Sequence, residues 1–144
     1  MAFNPSSTQP RERLSAAEGF AGVLVGAVAA DGHITKREAL ELTGLLSRNA
    51  LFKGLADRQL MAMFGRLAAI ARARGAEGLL EASAPAVPSD LKASAYANAV
   101  DLVMCDDELA EEEVAYLRKA QAALGVSEEL AHKMREIFEI KNKG

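Results

Sequence analysis

An acidic pattern occurs twice in this sequence, 75 positions apart, and each copy separates two stretches with helical apolar spacing. Residues 31–38 read DGHITKRE and residues 106–113 read DDELAEEE. When the copies are superposed, Asp31 aligns with Asp106 and Glu38 with Glu113. Further matches at the same offset are Val25/Val100, Val28/Val103, Ile34/Leu109 and Leu42/Leu117. The chain is therefore expected to form a helix, an acidic junction and a second helix, twice over.

The apolar residues elsewhere also follow helical rather than strand periodicity. Half of the residues are hydrophobic but only 5% are aromatic, so small and aliphatic side chains must fill the core, and such a composition favours helix. We predict an all-α fold, a single domain of six to seven helices with two helix–junction–helix halves in a pseudo-repeat. Helices are predicted over about 14–30, 57–74 and 77–83. Three more are predicted to begin near residues 35, 89 and 127, and another is predicted to end at residue 124. For the third helix the predicted buried stripe is Leu60, Met63, Phe64, Leu67, Ala68 and Ala71.

Residues with strong local preferences mark the ends of these helices. Thr35 and Glu38 match a capping box, and Ser89 and Ser127 are predicted N-caps. Gly75 and Gly125 are predicted helix stops. Residues 1–12 are predicted to be a flexible tail and 13–144 the helical domain, with a possible hinge over 82–90, where two prolines occur.

The charge distribution excludes some partners. Residues 1–100 carry 11 basic and 9 acidic side chains, whereas 101–144 carry 6 and 11. An acidic C-terminal part disfavours nucleic acid and attracts cations. The apolar run over 19–30 is too short for a membrane span, so no direct membrane insertion is expected. Cys105 is the single cysteine, which excludes an intrachain disulfide and is consistent with a cytoplasmic protein.

The two junctions together suggest a divalent-metal site. Two like charges 4 Å apart repel by about 4 kcal/mol at the effective dielectric of a protein surface, so converging carboxylates need a cation. The candidate ligands are Asp31, Glu38, Asp106, Asp107 and Glu113. Oxygen ligands favour Ca²⁺, Mg²⁺ or Mn²⁺ over Zn²⁺. His33 could add a nitrogen ligand, although in a turn it is more often a bystander.

Neither junction is a complete EF-hand loop. The sequence DGHITKRE resembles the second half of such a loop, with Gly32 at its sixth position and Glu38 at its twelfth. The first and third positions are Ala27 and Ala29, which have no side-chain oxygen. Each junction therefore supplies a half-loop, and a full oxygen shell would need both halves or water. In the alternative interpretation, the same residues only cap helices and form a solvated acidic face.

The doubled junction, with the sequence ALGV at 123–126, resembles the TerB-like family. This is the tellurite-resistance TerB group, whose domain also occurs in some membrane-anchored DnaJ-type co-chaperones. The resemblance covers about residues 15–140. It implies about seven helices and a metal-binding acidic surface, with Asp31 and Glu38 in one half of the site and Asp106 and Glu113 in the other. Asp107 stands where the family commonly has glycine. Partner proteins in a membrane-associated stress complex are also implied.

Two functional classes follow. The first is a non-enzymatic module that binds or senses a divalent metal ion in a tellurite or other stress response. The second is an acidic protein-interaction scaffold that binds a basic partner without metal. An enzyme is not expected, because His33 and His132 are the only histidines and neither a Ser-His-Asp set nor a glycine-rich phosphate loop is evident. The oligomeric state is left open by the sequence.

Overall fold

The computed structural model of the protein describes residues 13–30, 36–104 and 110–143. These residues form helices and no strand, which confirms the all-α prediction. The six α-helices are α1 (Ala16–Ala29), α2 (Lys36–Ser47), α3 (Asp57–Ser83), α4 (Lys92–Met104), α5 (Glu111–Ala123) and α6 (Glu128–Lys141). Short 3₁₀ turns lie at Ala50–Phe52, Ala84–Ala86 and Ser89–Leu91. The predicted tail over 1–12 and the Thr35 cap lie outside the described residues.

Helix α1 begins behind a capping box that fixes its first turn. The backbone N–H of Glu18 donates to Ser15 Oγ (3.1 Å), and the backbone N–H of Ser15 donates to Glu18 Oε1 (2.9 Å). These reciprocal bonds satisfy two N–H groups that a helix start leaves without partners. The helix therefore starts at Ala16, two residues later than the apolar spacing alone predicts.

Two predicted glycine stops are confirmed. Gly75 has a φ of +77° inside α3, so the helix is broken there into a long and a short piece, as predicted. Gly125 has a φ of +68° after α5. Such values are disfavoured for residues with a Cβ atom. Ser127 Oγ then accepts a hydrogen bond from the N–H of Leu130 (3.1 Å), which confirms the cap of α6.

The prediction that Ser89 caps α4 is wrong. Ser89 opens the 3₁₀ turn Ser89–Leu91, and α4 begins at Lys92. Pro88 occupies the position before this turn with extended backbone (φ −56°, ψ 144°), and no side chain caps the turn. The chain therefore passes from proline through one tight turn before the α-helical hydrogen bonds begin.

Helix α1 is the centre of the core. It packs against α3, α4 and α5, and ten consecutive residues, Gly19–Val28, are buried. Glycines allow the close approach: a Cβ atom on Gly22 would overlap the side chain of Ser83, and one on Gly26 would overlap the ring of Tyr116. The Tyr116 hydroxyl donates to the backbone carbonyl of Val23 (2.6 Å), which fastens α5 to α1.

The residues aligned by the 75-residue offset have matching burial. Both members of each described aliphatic pair are at most 4% exposed: Val25/Val100, Val28/Val103 and Leu42/Leu117. Matching burial is compatible with the pseudo-repeat, which itself stays a prediction.

The hinge over 82–90 also stays a prediction; within that segment Ser83, Ala84 and Val87 are buried. None of the described helices combines the length and apolarity required to cross a membrane.

Candidate metal site

Two of the five candidate ligands lie in the described part of the chain. Glu38 is in the first turn of α2, and Glu113 is in the first turn of α5. Asp31, Asp106 and Asp107 fall in the parts of the two junctions, 31–35 and 105–109, that lie outside the described residues. Each described carboxylate therefore lies at the helix start that directly follows a junction, as the alignment of the two halves predicts.

Glu113 is nearly buried, with only 7% of its surface exposed. Its Oε1 accepts a hydrogen bond from the backbone N–H of Ala110 (2.9 Å), the first described residue after the junction. The carboxylate is therefore held against the start of α5, beside the end of the acidic segment. A buried carboxylate is costly unless it is hydrogen-bonded or paired. The candidate ligand Glu113 was identified from the sequence, but its burial was not predicted.

The neighbours of Glu113 are oriented differently. Glu111 and Glu112 are exposed, while Glu113 faces inward like Tyr116 and Leu117, one turn further along. This follows from helical geometry, since residues three and four apart share a face. The signal was present in the sequence, because the apolar positions 116 and 117 place residue 113 on the inner face of α5.

Glu38 is partly buried in the corresponding position of α2. The helices that precede the two junctions, α1 and α4, pack against each other, and α5 packs against both. No group of three or more histidine, cysteine, aspartate or glutamate side chains suited to a metal is found within the described ranges. That result covers Glu38 and Glu113 and leaves the junction aspartates untested.

A cavity of about 670 Å³ lies beside the end of α1. Its walls come from Ala29 and Ala30 of α1, Ala39 and Leu42 of α2, and one side of α3. Along α3, the wall of this cavity is less buried than the sequence predicted. Of the six predicted residues only Leu60 and Leu67 are buried, whereas the others are partly buried. Three of these partly buried residues line the cavity: Phe64, Ala68 and Ala71. Because these residues border the cavity, they are only partly buried.

The phenol of Tyr116 is buried against α1. Burial raises the pKa of the Tyr116 phenol above its ordinary value, so the hydroxyl stays protonated and keeps donating to Val23. His132 is exposed on α6 with its Nε2 3.5 Å from Glu136, and His33 lies outside the described residues. The absence of an enzymatic function stays a prediction.

Comparisons with known proteins do not identify a relative. No protein-family model matches the sequence, and neither the curated proteins nor the solved structures contain a significant match.

Proposed function

We propose that the protein is a non-enzymatic module, similar to the TerB-like family, that binds a divalent metal ion at its two acidic junctions. One observation carries this proposal: Glu38 and Glu113 occupy the same position after the two junctions, and Glu113 is drawn into the protein at 7% exposure. A carboxylate that served only for solubility would point into water, as Glu111 and Glu112 do.

The known hydrogen bond of Glu113 is compatible with metal binding. A carboxylate has about four acceptor sites on its two oxygens, so the capping bond from Ala110 does not by itself prevent metal binding. The start of α5 carries the positive end of the helix dipole, which opposes a cation. Additional negative charge from Asp106 and Asp107 would offset that effect. An all-oxygen site of this kind suits Ca²⁺, Mg²⁺ or Mn²⁺ better than Zn²⁺.

The biological role we propose rests on the family resemblance and on the acidic junctions. In that role the module would sense a metal ion during tellurite or other stress and would act with proteins of a membrane-associated complex in the cytoplasm. Ion binding would change the junctions, and the partner would respond to that change.

Thermal unfolding tests the metal site. The protein is unfolded in EDTA and then with Ca²⁺, Mg²⁺, Mn²⁺ and Zn²⁺ separately. An ion that binds only the folded state adds about 2.7 kcal/mol at one hundred times its dissociation constant. Glu113→Gln is the decisive variant, because glutamine can retain the capping bond while the charge is lost. We expect it to remove the ion-dependent shift, as should Asp31→Asn combined with Asp106→Asn.

Glu112→Gln is the matched control, since this residue lies on the same helical turn but is exposed. It should leave the ion-dependent shift unchanged. If no ion raises the unfolding temperature, or if Glu113→Gln responds to ions as the wild type does, the metal assignment is wrong.

The second candidate function is an acidic scaffold that binds a basic partner without metal. It is favoured by the exposure of Glu111 and Glu112 at the start of α5. In that case partner binding persists in chelator, weakens with salt and is reduced by Glu111→Gln and Glu112→Gln. Glu113→Gln therefore tests the metal site, whereas Glu111→Gln and Glu112→Gln test the acidic scaffold.

A further inference from the structure

The cavity beside the end of α1 has the size and lining of a small-molecule site. Its volume of about 670 Å³ is typical of ligand pockets and far exceeds the voids that close packing leaves in protein interiors. Its lining includes Val25 and Leu42, which are buried in the core, and also Met61, which is 65% exposed. The lining therefore extends from the core to the surface, so that a ligand can enter from solvent.

Among the described residues that line this cavity, Arg72 alone carries a charge. Two other arginines of α3 are paired within the chain: Arg66 with Glu18 (2.7 Å) and Arg74 with Glu81 (3.7 Å). Arg72 is exposed and forms no ion pair with another described residue. The cavity therefore combines an apolar lining with one positive charge that is available to an anion.

A second cavity, of about 600 Å³, is lined by residues at matching positions of the other half. The matched pairs that line the two cavities are Ala29/Met104, Ala39/Val114 and Leu42/Leu117. The second cavity has a more polar lining, in which charged groups have partners. Glu128 Oε1 lies 3.7 Å from Arg135 Nη2, and Glu128 Oε2 accepts a hydrogen bond from Gln121 Nε2 (2.9 Å). An apolar lining with an unpaired cation thus distinguishes the first cavity from the second.

We propose that the first cavity binds a single-chain aliphatic carboxylate. Its hydrocarbon chain would lie against the apolar lining, and its carboxylate would accept hydrogen bonds from the Arg72 guanidinium, a group that matches carboxylate geometry. A cationic amphiphile would be repelled by Arg72, and an uncharged one would lack the charged contact. Neither Glu38 nor Glu113 lines the cavity, so this site is separate from the proposed metal site.

Isothermal titration calorimetry of the full chain with decanoate tests the site. The titration is performed in EDTA, at low salt and below the concentration at which decanoate forms micelles. We expect saturable binding to a single site. Decanol and decyltrimethylammonium have the same hydrocarbon chain with an uncharged and a cationic head, and both should bind more weakly than decanoate.

Two variants reduce the space in the cavity. Gly65 and Ala68 line it one helical turn apart, and a Cβ atom on Gly65 would meet no other atom within 4 Å. Gly65→Leu and Ala68→Leu should each weaken decanoate binding by about ten-fold or more, since excluding two methylene groups from the cavity has that effect. The matched controls are Gly44→Leu on α2 and Ala62→Leu on α3, which lie outside the lining and should leave binding unchanged. Thermal unfolding verifies that all four variants are folded.

A charge variant tests the class of ligand. Arg72→Gln should weaken decanoate binding about 2–5-fold at low salt, because an exposed ion pair contributes little, and should leave decanol binding unchanged. Arg58→Gln, at an exposed position of α3 outside the lining, is its control. Absence of saturable decanoate binding would overturn the proposal, as would cavity variants that bind like the wild type or controls that lose binding equally. Decanol binding as tight as decanoate binding would overturn the assignment of a carboxylate ligand.

Discussion

Helices α1 and α6 each contain fourteen residues and each begin behind a serine cap, yet ten residues of α1 are buried and only one of α6. Their compositions account for this difference. Glu18 is the only charged residue of α1, whereas α6 carries charges along most of its length. A helix that is apolar on all sides can only be central, while an amphipathic helix belongs at a surface. Capping starts both helices, and the distribution of apolar side chains decides how deeply each is placed.

The largest expected loss of stability comes from shortening a buried side chain of α1. Leu24 is 0% exposed, so Leu24→Ala should destabilise the protein by about 2–5 kcal/mol through lost burial and a residual cavity. Leu130→Ala in α6 makes the same chemical change at 40% exposure and should cost about 1 kcal/mol or less. Urea denaturation of the wild type and both variants measures these two costs. Equal costs would show that α6 is as central to stability as α1.

The hydrogen bond between α5 and α1 gives the next effect. Tyr116→Phe removes the buried donor to Val23 and should cost about 1 kcal/mol near neutral pH. Because burial raises the pKa of Tyr116 above its ordinary value of 10.0, the unfolded chain ionises first. The stability contributed by this group is complete below pH 10 and is lost as the pH rises above it, at about 1.4 kcal/mol per pH unit.

The variant provides the control for this pH dependence. Other groups that titrate at high pH are present in both proteins, so the difference in unfolding free energy between wild type and Tyr116→Phe isolates Tyr116. We expect that difference to shrink above pH 10 and to change sign about one unit higher. A difference that stays constant from pH 7 to 11 would contradict the burial of the phenol in solution.

Removing the two serine caps separates local from global stability. Ser15→Ala and Ser127→Ala each delete an acceptor for a first-turn N–H group and should each cost about 1 kcal/mol. The loss at α1 should lower protection against hydrogen exchange throughout the protein, because four helices (α2, α3, α4 and α5) pack against α1. The loss at α6 should accelerate exchange mainly within α6. Uniform acceleration in both variants would mean that α6 unfolds only with the whole domain.

The smallest effects are expected from two ion pairs at the ends of these helices. Arg66 Nη1 lies 2.7 Å from Glu18 Oε2 at the start of α1, and Lys141 Nζ lies 3.0 Å from Asp101 Oδ2 at the end of α6. Because the basic side chains are about half exposed, Arg66→Ala and Lys141→Ala should each cost at most about 1 kcal/mol. Both costs should fall in 1 M salt. Unchanged costs at high salt would indicate that packing, rather than charge, holds these side chains.

Signals confined to a few residues were predicted correctly from the sequence. The start of α3 at Asp57, the break at Gly75, the stop at Gly125 and the cap at Ser127 each depend on one residue and its immediate neighbours. The failure at Ser89 has a local cause too. Pro88 directs the chain into a 3₁₀ turn before the helix, and a serine in that context resembles a cap in sequence.

Properties that depend on which helices meet were not predictable in the same way. Apolar spacing on α3 indicated one buried stripe, but Phe64, Ala68 and Ala71 line a cavity and are only partly buried. For the candidate metal site, the alignment of the two junctions predicted where Glu38 and Glu113 stand. Helical spacing placed Glu113 on the inner face of α5, and the folded structure showed that only 7% of the residue is exposed.

The amino-acid sequence by itself determined that this chain is helical and where most helices begin and end, because capping and backbone preference act over three or four residues. It also determined that α1 must be central, since that helix is apolar on every side. Tertiary structure alone decided that Gly22 meets Ser83, that Tyr116 donates to Val23 and that one face of α6 stays exposed. Those outcomes depend on contacts between residues distant along the chain, whose partners no local pattern specifies.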